Sequence, residues 1–352
     1  MTLRKFGSPH LYVQGAGALD ELPAVVEQSG RIPLLVADGV VLGLFRERIA
    51  ALLGSDVSFA EFSGECTAEE IDKVATEVRS KGADVVIGMG GGKAIDVAKG
   101  AASLCGLPVV IVPSIASNDS PTSRLSVLYT AEHVIDSVRM MPRNPEAVIV
   151  DTQIIASAPV RFFVAGLGDA LSKRFEVEEA VRAGASNFFG GRQTLLVQRL
   201  AETCFEILIT HGPGAAKAVE ENRVTPELED VVEAVVLMSG LAFENGGLSI
   251  AHSLTRGLSA VPALADRLHG EQVAFGLLVQ LVLQGGQEEL LARLAALYAG
   301  IGLPTSLAAL GAGREDAAII AQTACDSAPY IGNFRSAVTP VTLEQAILRL
   351  AT

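Results

Sequence analysis

The chain has 352 residues, 49% of them apolar, with 35 glycines, no tryptophan and a net charge of −13. That length is enough for two domains and a large core, and the apolar content excludes a disordered chain. The acidic balance argues against nucleic acid as a partner, because a phosphate backbone needs a basic surface.

The four cysteines, Cys66, Cys105, Cys204 and Cys325, are far apart and form no C-x-x-C pair. Neither a disulfide framework nor a cysteine zinc site is expected. The start carries a basic pair, Arg4-Lys5, with no apolar segment behind it, and the longest apolar run, residues 273–283, is too short for a membrane span. The sequence therefore reads as a soluble cytoplasmic protein.

The N-terminal half alternates strands and helices. Strands are expected at residues 11–13, 32–37 and 57–62, with helices at 18–29 and 41–53 between them. Thr67-Ala-Glu-Glu70 has the form of a capping box opening the next helix. A buried strand at 85–89 runs straight into Gly90, Gly91 and Gly92, and a helix follows from Lys93. Glycines there let the backbone approach a ligand, and the helix start adds partial positive charge, so a pyrophosphate fits. An ordinary tight βα turn would look the same. Strand 109–112 is closed by Pro113, a long polar loop runs from Ser114 to Tyr129, a hairpin is expected from 126–130 with 134–138, and strand 147–150 ends at Asp151. This order implies a parallel sheet covered by helices, with ligands beyond the carboxyl ends of the strands. Asp38 stands at one such end, where it could hold a ribose hydroxyl pair or simply cap the next helix. Asp119 and the loop hydroxyls could contact a cofactor or substrate, or form surface turns.

From about Thr152 helical periodicity dominates. Helices are expected at 154–158, 168–183, 191–210, 213–222, 226–244, 247–258, 270–284, 288–299, 314–325 and 342–350. A domain boundary is placed near 151–159, giving an α/β domain over 1–155 and an all-α domain over 156–352, with the interdomain cleft as default active site. Of five histidines, His10, His133 and His211 read as surface or turn residues, His211 in a loop before Gly212-Pro213. His252 lies in an apolar helix and His269 just before the next one, so neighbouring helices could aim both at one point. Asp169, after Gly166 and Gly168 at a tight helix entry, is a candidate third ligand or an N-cap. An Asp and two His with a free fourth position hold catalytic Zn²⁺, and the set equally suits Fe²⁺ or Mn²⁺. Such an ion polarises an alcohol oxygen and lowers its pKa, and a nicotinamide can take the hydride.

Several segments together resemble the glycerol dehydrogenases of the iron-containing (group III) alcohol dehydrogenase superfamily over nearly the whole chain. They are Gly90-Gly-Gly-Lys-Ala-Ile-Asp-Val-Ala-Lys99, Pro113-Ser-Ile-Ala-Ser-Asn-Asp-Ser-Pro-Thr-Ser123, Ser126-Val-Leu-Tyr-Thr130, Ala165-Gly-Leu-Gly-Asp-Ala-Leu171, Phe243-Glu-Asn-Gly-Gly-Leu248 with His252, and His269-Gly-Glu-Gln-Val-Ala-Phe-Gly276. The resemblance implies a Rossmann-like sheet domain and a helical metal-binding and catalytic domain, in the architecture shared with dehydroquinate synthase. It implies an NAD-dependent dehydrogenase that converts glycerol or a related vicinal diol to the hydroxyketone. By the same match, Asp169, His252 and His269 hold one divalent metal, Zn²⁺ first and Fe²⁺ as the alternative, and Asp119 contacts substrate hydroxyls. Gly90, Gly91, Gly92, Lys93 and Asp96 line the cofactor site, with Ser114, Ser117, Ser123, Leu125 and Tyr129 around the nicotinamide side and Asp38 by the adenosine ribose. A homo-oligomer, an octamer or smaller, is implied as well, with neither nucleic acid nor membrane as partner.

Two departures stand out. Thr255 replaces the second histidine that glycerol dehydrogenases usually carry one turn after the first, and Lys173-Arg174 put two cations after the metal aspartate. A cation there, unless it belongs to a solvated helix face, favours an anionic substrate, so a small 2-hydroxy carboxylate or 2-oxo acid is the alternative. A cyclising lyase like dehydroquinate synthase shares the plan but takes a Glu as the acidic metal ligand, where this chain has Asp169.

Overall fold

The computed structural model describes residues 3–130, 135–264 and 266–352. His133 and Val134, expected in the hairpin region, lie outside the described residues. The chain forms two compact units. One comprises Ser8–Pro159 and Ala218–Gly240, the other Met1–Gly7, Val160–Lys217 and Leu241–Thr352.

In the first unit the strands are β1 (Leu11–Gly15), β2 (Pro33–Asp38), β3 (Ser58–Phe62), β4 (Val85–Gly90), β5 (Val109–Pro113), β6 (Leu125–Tyr129), β7 (Ile135–Met140) and β8 (Ala147–Asp151). Six of them make one parallel sheet in the order β1-β8-β5-β4-β2-β3, and β6 and β7 pair antiparallel as a separate ribbon. β4, β5 and β8 are buried along their whole length, as central strands of a helix-covered sheet must be. The connecting helices are α1 (Leu22–Ser29), α2 (Gly39–Leu53), α3 (Ala68–Ser80) and α4 (Gly92–Cys105). The Thr67 side chain accepts from the Glu70 amide at 3.1 Å, capping α3 as its sequence predicts. The connections from β2 and β4 leave in opposite directions across the sheet, which sets the topological switch point between Asp38 and Gly90.

The remaining helices are α5 (Thr152–Ala156), α6 (Val160–Arg182), α7 (Leu195–Glu220), α8 (Pro226–Glu233), α9 (Ser239–Gly246), α10 (Ile250–Leu258), α11 (His269–Gln284), α12 (Glu288–Ile301), α13 (Leu307–Leu310), α14 (Ala317–Ser327) and α15 (Pro340–Leu348). Three differ from expectation for identifiable reasons. α7 runs unbroken through Pro213, so His211 lies inside a helix and not in a loop. Its buried residues Val197, Ala201, Cys204, Leu208, Ala215 and Val219 stay in phase across the proline. Packing of that continuous face outweighs one lost intrahelical bond. The expected helix 226–244 is interrupted by a π turn at Ala234–Met238, where Thr122 Oγ1 donates to the Val236 carbonyl at 3.2 Å.

The third difference places Asp169. α6 begins at Val160, so Asp169 is well inside the helix and is not its N-cap. Gly168 is there because α11 crosses α6 backbone to backbone. A Cβ on Gly168 would lie 2.6 Å from the Gly270 carbonyl oxygen, and one on Gly270 would lie 1.8 Å from that of Ala165. The approach brings Asp169, next to Gly168, towards His269, next to Gly270. Gly270→Ala therefore forces two backbones apart and is expected to destabilise by about 2 kcal/mol or more in chemical denaturation. Gly43→Ala on exposed α2, where a Cβ meets nothing within 4 Å, is expected to stabilise by about 0.5–1 kcal/mol.

Candidate active site

Gly90, Gly91 and Gly92 take the chain from β4 into α4, with Gly90 at φ 146°, a conformation that favours glycine. Gly91 is the N-cap of α4 and supplies no side-chain bond to the first amides, which leaves them directed outward. The polar loop closes over this turn. The Ser114 amide donates to the Gly90 carbonyl at 3.0 Å. A Cβ on Gly91 would lie 3.0 Å from the Ile115 side chain, and one on Gly92 only 2.6 Å from that of Asn118. Asp38 uses Oδ1 to cap α2, accepting from the Val40 and Val41 amides at 2.9 Å each. Its Oδ2 lies 3.8 Å from where a Gly90 Cβ would be. Lys93 pairs with Glu65 at 2.7 Å and lies 5.1 Å from the centre of the Tyr129 ring. Asp119 accepts from Ser239 Oγ at 3.4 Å, and Ser117 is half-buried in the same loop.

Asp96 and Lys99, one turn into α4, hold the loop and the β6 strand. Lys99 is fully buried, and its Nζ donates to Asp96 Oδ1 and Ser120 Oγ at 3.0 Å, to Ser123 Oγ at 3.4 Å and to the Leu125 carbonyl at 2.7 Å. Ser120 Oγ also donates to Asp96 Oδ1 at 2.6 Å, and the Val127 amide donates to Asp96 Oδ2 at 2.9 Å. Both carboxylate oxygens of Asp96 thus have partners from its own unit. Ser123 and Leu125 are buried turn and strand residues tied to the same ammonium.

In the helical unit the structure gathers Asp169 of α6, His252 of α10 and His269 of α11. One ligand atom from each lies within 4.8 Å of the others, and the two imidazole centres are 5.4 Å apart. Asp169 is fully buried and its Oδ2 has no hydrogen-bond partner among the described residues. An orphaned oxygen on a buried carboxylate that lies beside two imidazoles fits a divalent cation, and the N/O donor set suits Zn²⁺ or Fe²⁺.

Sequence reasoning missed Glu176. Its Oε1 accepts from the Ser249 amide at 2.8 Å and the His252 amide at 3.0 Å, and its Oε2 lies 2.6 Å from His252 Nδ1. An ionised carboxylate only accepts, so Nδ1 carries a proton and the ring is fixed with Nε2 towards Asp169, 3.2 Å from Oδ1. Burial disfavours charge on His252, but Glu176 beside it, opposed by Lys173 and helped by Asp169, raises it to about 9. Burial likewise works against ionised Asp169 and Glu176. Lys173 with His252 holds Asp169, and His252 holds Glu176, below the usual carboxylate range. The signal in the sequence was spacing: Asp169, Lys173 and Glu176 fall on one face of α6.

Lys173 is not on a solvated face. It is fully buried, its Nζ bonded to Asp169 Oδ1 and 3.3 Å from His252 Nε2. Arg174 turns elsewhere, its guanidinium 5.5 Å and 5.0 Å from the centres of the Phe175 and Phe205 rings. Thr255 is buried, and its hydroxyl donates to the His252 carbonyl at 2.7 Å. Glu271 receives Arg161 of α6 at 2.9 and 3.1 Å and the Leu268 amide at 3.2 Å, which seats the start of α11 and with it His269.

Residues 9–152 match the family model described as iron-containing alcohol dehydrogenase. The chain is 40% identical to a glycerol dehydrogenase of Escherichia coli, across 97% of this chain and 95% of that one. It is 38% identical to a glycolaldehyde reductase of Halobacterium salinarum, across 97% and 96%. Its structure matches that of a probable glycerol dehydrogenase from Sinorhizobium meliloti with a TM-score of 0.94 at 36% identity, covering 99% and 98% of the two chains.

Lys99 gives a test of the loop anchorage. Lys99→Met leaves Asp96 buried with one charge unpaired and is expected to cost about 3–5 kcal/mol of stability in urea. Adding Asp96→Asn is expected to recover part of that loss, whereas a purely additive double variant would mean the two do not act together.

Proposed function

The chain belongs to the iron-containing alcohol dehydrogenase family, and on that premise we propose that it oxidises glycerol or a related small vicinal diol to the hydroxyketone with NAD as acceptor. One observation carries the reading: Asp169, His252 and His269 offer ligand atoms within 4.8 Å of one another, and Asp169 keeps an unpartnered oxygen. These three residues hold one divalent ion, Zn²⁺ or Fe²⁺. An ion held there would supply Lewis acidity, lowering the pKa of a substrate alcohol. NAD, when bound, accepts the hydride.

The remaining work belongs to the chain's own groups. Glu176 keeps the proton on His252 Nδ1, so Nε2 is the nitrogen offered at the site. Gly90, Gly91 and Gly92 with the free amides of α4 receive the pyrophosphate. Asp38 Oδ2, left over from capping α2, takes the adenosine ribose hydroxyls and repels a 2′-phosphate, which selects NAD over its phosphorylated form. Ser114, Ser117 and Tyr129 line the nicotinamide side with Lys93. Asp96, Ser123 and Leu125 keep that wall in place through Lys99. Asp119 aligns the second hydroxyl of the diol. The functional particle is a homo-oligomer.

The placement of Arg174 favours the diol over a hydroxy acid, because its guanidinium is committed to two aromatic rings. The test is turnover of glycerol, propane-1,2-diol, lactate and 2-oxobutyrate by metal-loaded enzyme, followed by nicotinamide absorbance. The diols are expected to turn over and the acids not. Absence of turnover together with absence of bound metal sinks the dehydrogenase reading. His269→Ala is expected to abolish metal retention by elemental analysis while NAD binding, measured by fluorescence titration, persists. Equal loss of both would make His269 structural.

A further inference from the structure

Lys173 presents a problem that the proposed reaction does not solve. A lysine ammonium with no exposed surface sits against the carboxylate and the imidazole nitrogen that a metal would use. Its Nζ is bonded to Asp169 Oδ1, lies 3.3 Å from His252 Nε2, and is also 3.3 Å from the Asp169 main-chain carbonyl. Burying such a charge is costly unless it is paired, and here its carboxylate partner is the central ligand of the cluster. The residue is also placed for this contact by sequence alone, four positions after Asp169 on α6.

We propose that Lys173 is a built-in cation that takes the place of the metal in the metal-free protein, and that it weakens the site's hold on a divalent ion. The inference rests on the reading of Asp169, His252 and His269 as metal ligands. Without any cation, Asp169 would be a buried charge beside Glu176, also buried, and the helices α6, α10 and α11 would carry uncompensated negative charge at their junction. The ammonium neutralises it and keeps the three ligands at their spacing, so the empty site is preorganised and the fold does not wait for metal. Binding of a dication by the free Asp169 Oδ2 and by His252 Nε2 brings it beside Nζ, which is bonded to the other oxygen of that carboxylate and lies 3.3 Å from that nitrogen. Two like charges repel at that distance, so Nζ has to leave Asp169 Oδ1. The Asp169 main-chain carbonyl, already within reach, is an acceptor outside the ligand set. Every divalent ion bound must offset the loss of this contact, so the site binds metal reversibly where a lysine-free site would bind it tightly.

Two measurements test this. First, wild type and Lys173→Met are stripped with chelator and titrated with Zn²⁺ by calorimetry, and both forms are melted with and without the ion. Stripped Lys173→Met is expected to melt below stripped wild type and to bind Zn²⁺ about tenfold more tightly or better, since one like charge beside the ion is gone. Its gain in melting temperature on loading is expected to exceed that of wild type. Equal or weaker Zn²⁺ binding by the variant, with wild type binding normally, overturns the role of Lys173 and leaves the metal site standing. Failure of both proteins to bind Zn²⁺ overturns the metal site itself. Second, crystal structures of wild type, stripped and Zn²⁺-soaked, do not depend on the variant folding. Nζ is expected on Asp169 Oδ1 in the stripped protein and away from it in the loaded one. Retention of that contact with the ion bound overturns the proposal.

Discussion

The helical unit depends on compensating the charges buried beneath its candidate metal site. Asp169, Lys173 and Glu176 come from one helix, all fully buried, and His252 meets them from another. Isolated, any one of these charges would be too costly to bury. Together they compensate, and each pairing also fixes geometry: Glu176 orients the His252 ring, and Lys173 restrains Asp169. The arrangement requires α6 and α11 to touch backbone to backbone, which only glycine at 168 and 270 permits. Chemistry and packing are therefore one constraint. The glycines next to the ligand residues are what let the ligands meet.

The α/β unit meets its own version of the same constraint. An outward-facing helix N-terminus and a carboxylate at a neighbouring strand end are cheap to build, because the switch point of the sheet places them together. What is harder is to hold a long polar loop over the glycine turn without loose backbone groups. Lys99 does this as a single buried donor shared among Asp96, two serine hydroxyls and one carbonyl. The π turn at Ala234–Met238 contributes in a similar way, offering the Val236 carbonyl to Thr122.

Much of this was open to sequence reasoning, and for specific reasons. The sheet strands at Val85–Gly90 and Val109–Pro113 announce themselves as apolar β-branched runs ended by glycine or proline. Asp38, Asp169, His252 and His269 stood out because their residue types are scarce or sit at element boundaries. Glu176 and Lys99 did not, and Lys173 stood open between the metal site and a solvated face. A charged residue on a helix looks the same in sequence whether its face meets water or another helix, and Lys173 would ordinarily belong to a solvated surface. The glycines of α6 were misleading for a related reason, since Gly-x-Gly reads as a helix entry when no partner helix is in view.

The sequence by itself determined the local things: where strands and helices run, that a glycine turn opens α4, and which few residues have metal-ligand chemistry. Those follow from periodicity and residue type, which act over a handful of neighbours. Only the tertiary structure decided which faces are buried and therefore which charges must pair. It kept α7 continuous through Pro213, moved Asp169 from a helix entry to a helix interior, and decided for Lys173 between a solvated helix face and a place against Asp169. The reason is physical. The cost of a charge or a broken helix turn is set by what lies across from it, and what lies across comes from elsewhere in the chain.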